Sequence, residues 1–185
     1  MKLTLITPPE SLPVSTAMAK AHSRVLGEQE DSLIELYLSA ATAELDGPTG
    51  VIGRCFMLQT WRLDMADWLG PVALRVEPVN SVEVRYIDAA GDEQVLDSSA
   101  WVLDDDVSRS PRLHWRGLLP ALGDDPWPVR IEIEAGRAQA DPDVQVAILL
   151  RAAQLYETRE ATVTGTIVAA NPAYDALVAK LRRNL

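Results

Sequence analysis

Apolar positions recur at helical spacing near the start of the chain. Met18, Ala21 and Val25 share one face of a segment from Thr16 to Leu26, with Ser15 placed to cap it and Gly27 to end it. Leu33, Ile34, Tyr37, Leu38, Ala41 and Leu45 form a wider apolar face, which predicts a second helix from about Glu30 to Leu45. Glu28, Glu30 and Asp31 suit the positive end of its dipole, and Gly47-Pro48 stops it. Ahead of both helices, Pro8, Pro9 and Pro13 forbid regular helix over residues 1–14 and favour an extended arm.

The period then changes from helical to alternating. Gln59 to Asp67 alternates, with Trp61, Leu63 and Met65 on one side, and Ala73–Val76 and Val82–Ile87 also read as strands. The turn Asp88-Ala89-Ala90-Gly91-Asp92 and the return Gln94-Val95-Leu96 predict a hairpin. Trp101–Leu103, Arg112–Trp115 and Val129–Glu134 complete an antiparallel meander, inferred from the short connections. Helix resumes at Asp141-Pro142, a cap followed by proline in the first turn, with Val144, Ile148, Leu149, Ala152, Leu155 and Tyr156 inward to about Glu160. A stretch without charge, Ala161–Ala170, leads to a second such start at Asn171-Pro172, and Tyr174, Leu177, Val178 and Leu181 mark a short amphipathic helix. The layout is α+β: N-terminal helices, an antiparallel β-meander, a long helix in the C-terminal half and a short C-terminal helix. Residues 1–160 are expected as one domain. Residues 161–185 are expected as a flexible linker and helix outside the subunit's core, acting as an assembly arm.

Composition narrows the function. The chain has 185 residues, 48% of them hydrophobic and 24% charged, which suits a globular protein able to bury a core without metal or disulfide staples. Its net charge of −10 disfavours a role in coating DNA or RNA. Cys55, the one cysteine, lies beside Phe56, Met57 and Leu58 and reads as a small buried hydrophobe. The N-terminus is too early in prolines for a signal peptide, and no apolar run approaches a membrane span, so the protein is expected to be made in the cytoplasm.

The candidate chemistry is thin. Asp104-Asp105-Asp106 lacks the further oxygens of a calcium loop, and His22 and His114 have no ligand at zinc spacing. Glu157 and Glu160 sit beside Arg159, as on an exposed charged face. The glycines of Thr49–Arg54 do not form a phosphate loop. Trp61, Trp68, Trp101, Trp115 and Trp127 all fall in the β region among Asp residues and read as core and subunit-interface aromatics. No catalytic, cofactor or metal constellation emerges. Charge is uneven: residues 28–50 hold six acids and no base, whereas residues 171–185 hold Lys180, Arg182 and Arg183 against Asp175. A cationic amphipathic end on an acidic body suits docking onto another protein, or packing on its own domain.

The ordered segments resemble the head–tail connector, or adaptor, proteins of tailed phages and gene transfer agents. The likeness runs from Thr7-Pro8-Pro9, Leu12-Pro13-Val14-Ser15 and Ala17-x-Ala19-Lys20-Ala21-His22-x-Arg24-Val25 through Asp31-x-Leu33-Ile34, Ala40-Ala41 and Thr49-Gly50. It continues through Gln59-Thr60-Trp61, Pro78-Val79-x-Ser81-Val82, Tyr86-Ile87-Asp88-x-x-Gly91, Ala135-Gly136 and Tyr156-Glu157-x-Arg159-Glu160. The ending Leu177-Val178-Ala179-Lys180-Leu181-Arg182-Arg183 departs from the family's Leu-Leu-x-x-Tyr-Arg-like tail. The resemblance implies a structural protein of the particle neck with no catalytic residues and no cofactor. It implies a dodecameric ring of this chain beneath the portal protein, joined on its other face to a tail-completion or stopper protein. Duplex DNA would pass through without specific binding. The interface with the portal or a neighbouring subunit is then expected at Tyr174, Leu177, Val178, Lys180, Leu181, Arg182 and Arg183. The alternatives are a small acidic enzyme subunit with an inter-subunit site, or a cytosolic protein-binding module.

Overall fold

Ser15 Oγ accepts the Met18 amide at 3.2 Å and starts helix α1, Thr16–Ser23. The helix stops three residues short of the expected Leu26, because Arg24 turns left-handed (φ 56°) and the Val25 amide closes on the Lys20 carbonyl at 3.0 Å. Gly27 falls in the turn that follows. Helix α2, Asp31–Leu45, and helix α3, Pro142–Glu157, follow the apolar stripes that predict them. Helix α4, Pro172–Leu181, starts where Asn171 Oδ1 accepts the Tyr174 amide at 3.2 Å. These observations come from a computed structural model, which describes residues 1–106, 110–158 and 171–182. The expected linker Ala161–Ala170 and the end of the third helix at Glu160 lie outside the described residues.

The chain folds into two units, each assembled from separate stretches. Ser11–Met57 with Ala138–Arg182 make a helical unit, and Met1–Glu10 with Leu58–Arg137 make a β unit. In the helical unit, Leu38, Ala41, Leu45, Ala147 and Ile148 are wholly buried, and Val14, Ala19, Ile34, Ile52 and Phe56 complete the core. Full burial of Leu38, Leu45 and Ile148 contributes about 1.5–3 kcal/mol each. Polar groups trim its border. Lys20 Nζ meets Asp31 at 2.5 Å, Arg151 Nε meets Glu44 at 2.7 Å, and the Tyr156 hydroxyl donates to Glu30.

The β unit holds two antiparallel sheets. Strand β1 (Lys2–Thr7) is the edge of a five-stranded sheet, followed across it by β2 (Gln59–Met65), β8 (Val129–Ala135), β4 (Val79–Ile87) and β5 (Glu93–Val95). A second sheet runs β3 (Val72–Ala73), β7 (Arg112–Trp115), β6 (Trp101–Asp104). The α+β class and the antiparallel pairing agree with the sequence; the order of a meander does not. The last strand, β8, is central, because Ile131 and Ile133 are flanked by Leu63 and Trp61 on one side and Val84 and Val82 on the other. On the face they share, Leu63, Val84, Ile131 and Ile133 are buried, and Trp61 and Val82 are half-buried. The opposite face carries Arg62, Glu132 and Glu83 in one cross-strand row and Asp64, Arg130 and Arg85 in the next. The opening segment, expected as an extended arm, is extended, and Lys2–Thr7 is absorbed into the sheet through pairing with β2. The strand expected at Ala73–Val76 shrinks to two residues because Arg75 adopts φ 57°.

The predicted hairpin is present as β4 and β5. Asp88 builds its turn: its Oδ1 accepts the Ala90 amide at 2.9 Å and the Asp92 amide at 3.1 Å, and its Oδ2 accepts Gln94 Nε2 at 3.0 Å. These bonds, the Asp92 amide first and then the Gln94 side chain, hold the Asp88 carboxyl below the ordinary range. A carboxylate depressed in the folded state supports the turn at neutral pH and loses that support as pH falls below about 3.9, the ordinary aspartate value, through its own lower pKa. Protection of the Ala90 and Asp92 amides, relative to their intrinsic exchange at each pH, should therefore persist down to the ordinary range and fall below it, and Asp88→Ala should lack it throughout. Protection in Asp88→Ala equal to wild type would refute this role.

Candidate functional site

The cationic C-terminal helix is one candidate contact surface. Its stripe is engaged within its own helical unit: Val178 is buried in the core with α3, and Tyr174, Leu177 and Leu181 pack half-buried against the same cluster. The expectation of a helix standing outside the subunit's core is corrected here, because the core cluster that includes Val144 and Ile148 gives the stripe an apolar partner at home. Burial, and next the Glu44 carboxylate, push the Tyr174 hydroxyl above its ordinary pKa. The cationic end is partly used as well. Lys180 Nζ pairs with Asp143 at 2.6 Å, and Arg182 Nε donates to the Val51 carbonyl at 3.1 Å, while both side chains stay exposed. The structure thus brings Tyr174, Leu177, Val178 and Leu181 together on one side and sets Lys180 and Arg182 at the surface. Arg183 lies outside the described residues.

A second candidate surface is at one end of the β unit. Strands β2, β4 and β8 align so that Met65, Tyr86 and Val129 form the last row of the five-stranded sheet. Loops 66–70, 88–92 and 116–128 leave from that end. Trp68 ties them together. Its ring lies 5.7 Å from Tyr86 and 5.1 Å from Trp115, and its Nε1 donates to the Pro120 carbonyl at 2.9 Å. Trp115 Nε1 in turn donates to the Leu69 carbonyl at 3.0 Å. The long loop is pinned again where the Gly123 amide meets the Ile87 carbonyl at 2.9 Å and Leu122 bridges to Asp88. Two glycines allow these approaches: a Cβ at Gly123 would stand 2.2 Å from the Asp88 carbonyl oxygen, and one at Gly70 would stand 2.8 Å from Trp115 Cδ1. The sequence reading placed the tryptophans in core and interface without separating them. The structure assigns Trp68 and Trp115 to the internal scaffold and leaves Trp127 exposed. The sequence marks this end with Gly117-Leu118-Leu119-Pro120, an apolar pair between two turn residues.

The residues considered for chemistry remain scattered. Cys55 is buried. His114 Nε2 lies 4.0 Å from Asp104, both half-exposed, and no group of ligating side chains converges among the described residues. Glu160 lies outside the described residues. No described helix is long and apolar enough to cross a membrane.

No protein-family model matches the chain, and no curated protein does. Solved structures of gene transfer agent particles do. A chain in the neck of an empty particle, computed with C6 symmetry, is 27% identical with a TM-score of 0.78. A chain in the virion of a native particle is 29% identical with a TM-score of 0.79. A chain in the neck of a native particle, computed with C12 symmetry, is 29% identical with a TM-score of 0.70. Each match covers 100% of this chain and 97% of its counterpart. The likeness carried by the residues therefore extends over the whole fold, and two of the three counterparts are chains of a gene transfer agent particle neck.

Proposed function

We propose that the chain is a ring-forming head–tail connector, seated beneath the portal protein and joined on its far side to a tail-completion or stopper protein. The observation that carries this reading is the end-to-end likeness to chains of necks solved with C6 and C12 symmetry. A ring closed by head-to-tail contacts needs two different patches on each subunit, and the chain supplies a helical unit and a β unit. Helix α4 is assigned to the contact with the portal or a neighbouring subunit. Tyr174, Leu177, Val178 and Leu181 fix it on the helical unit, and Lys180, Arg182 and Arg183 supply charge to the partner. The net charge of −10 suits a conduit, since a wall of like charge does not retain duplex DNA.

Mixing the purified chain with filled heads that bear a portal but no tail should produce a ring at the portal vertex, visible by negative-stain microscopy, and permit tails to join. Failure to bind such heads, together with absence of the chain from tail-bearing particles, would remove this reading.

A further inference from the structure

We infer that the loop end of the β unit is a docking surface for a different protein, one that presents an apolar pocket bordered by Lys or Arg. The inference rests on the neck reading and deepens it by naming the surface and the chemistry of its partner. Three apolar tips project there: Leu118, which is 100% exposed, Leu69 at 55% and Trp127 at 39%. Single exposed leucines are ordinary on a protein surface, but these stand on loops held in place by the Trp68–Trp115 scaffold and the Gly123 contact. Tips that are already ordered lose little freedom when a partner covers them, which is the property of an anchoring residue.

Charge selects the partner. The three loops hold five acids, Asp67, Asp88, Asp92, Asp124 and Asp125, against one base, Arg116. A phosphate backbone is repelled by such a frame. A second copy of the chain is a poor match for these tips, because the apolar stripe beside its cationic Lys180 and Arg182 is already taken up by its own helical unit and leaves no apolar pocket there among the described residues. A separate neck or tail protein with a basic rim around an apolar pocket satisfies both features.

The test uses tailed particles purified from producing cells that carry Leu118→Cys; the native Cys55 is buried. The new thiol at position 118 should react with a maleimide about tenfold more slowly, or slower still, in particles than in the isolated full chain, since labelling depends on access. With p-benzoylphenylalanine in place of Leu118, irradiation of the particle should join the chain to a different protein, at an apolar peptide flanked by Lys or Arg. Equal labelling rates, or a crosslink to a second copy alone, would overturn this inference and leave the neck reading intact. Absence of the wild-type chain from the particles would overturn the neck reading, and this inference with it.

Discussion

Leu38→Ala should destabilise the helical unit by about 2–5 kcal/mol. Leu38 is 0% exposed at the centre of the core cluster, within the seam between α2 and α3. Removing its side chain forfeits the transfer energy of the lost atoms and leaves a cavity that two packed helices close only in part. Leu36, two residues earlier on the same helix, is 62% exposed, so Leu36→Ala should change stability by no more than about 0.5 kcal/mol. Denaturant unfolding of the pair measures the difference. Similar losses in both variants would contradict the orientation of α2 described here.

Val178→Asp should release α4 from the helical unit, at a cost on the order of 3 kcal/mol or more for placing an unpaired carboxylate in an apolar site. Val178 is the buried member of the stripe, 8% exposed, and it sits with Tyr174, Leu177 and Leu181 against the same core as Ile148. A ten-residue helix is too short to persist alone in water, so once detached it should unfold. Hydrogen exchange then reads the result directly: the amides of α4 lose protection while those of α2 retain most of theirs. Ala176→Asp, on the exposed side of the helix, is the control and should leave protection in place. If Val178→Asp leaves both the melting transition and α4 exchange unchanged, the helix does not belong to the core. Truncation before Asn171 is accordingly expected to lower the stability of the isolated subunit, in contrast to an arm that ordered itself only on a partner.

These two results bear on assembly. Helix α4, packed at home with Lys180 and Arg182 at its surface, offers a partner a preformed shape instead of a segment that must order on contact. The loop end of the β unit is preformed by a different device, two indoles locked edge to face. The loop end presents apolar tips among acids, whereas α4 presents polar and charged groups on a helix whose apolar stripe is already buried.

Several parts of the molecule were legible because they are decided within a few residues. Ser15 and Asn171 cap their helices through a side-chain oxygen three positions from the amide they accept. Pro142 and Pro172 occupy first turns where no amide is needed, and Asp88 folds its own turn between β4 and β5. The apolar stripes of α2 and α3 repeat over three or four turns, enough to set both the type of element and its inward face. The ordered motifs that resemble head–tail connectors span the same elements, and the likeness survives in the fold. Other features depended on partners far along the chain. No local pattern says that β8 enters between β2 and β4, since alternation marks a strand but not its neighbours. No local pattern says that Arg24 and Arg75 turn left-handed, or that the stripe of α4 is taken up by its own unit. The loop end is the clearest case. Leu118 lies 50 residues from Trp68 in sequence, and only the closure of two sheets sets Trp68 against Trp115 and leaves Leu118, Leu69 and Trp127 outside. Periodicity and caps determined which segments are helix and which are strand, because those are governed by hydrogen bonds and side-chain spacing inside one segment. Which apolar residues end as core and which as exposed anchors was decided by tertiary structure alone, because burial depends on what the rest of the chain brings alongside.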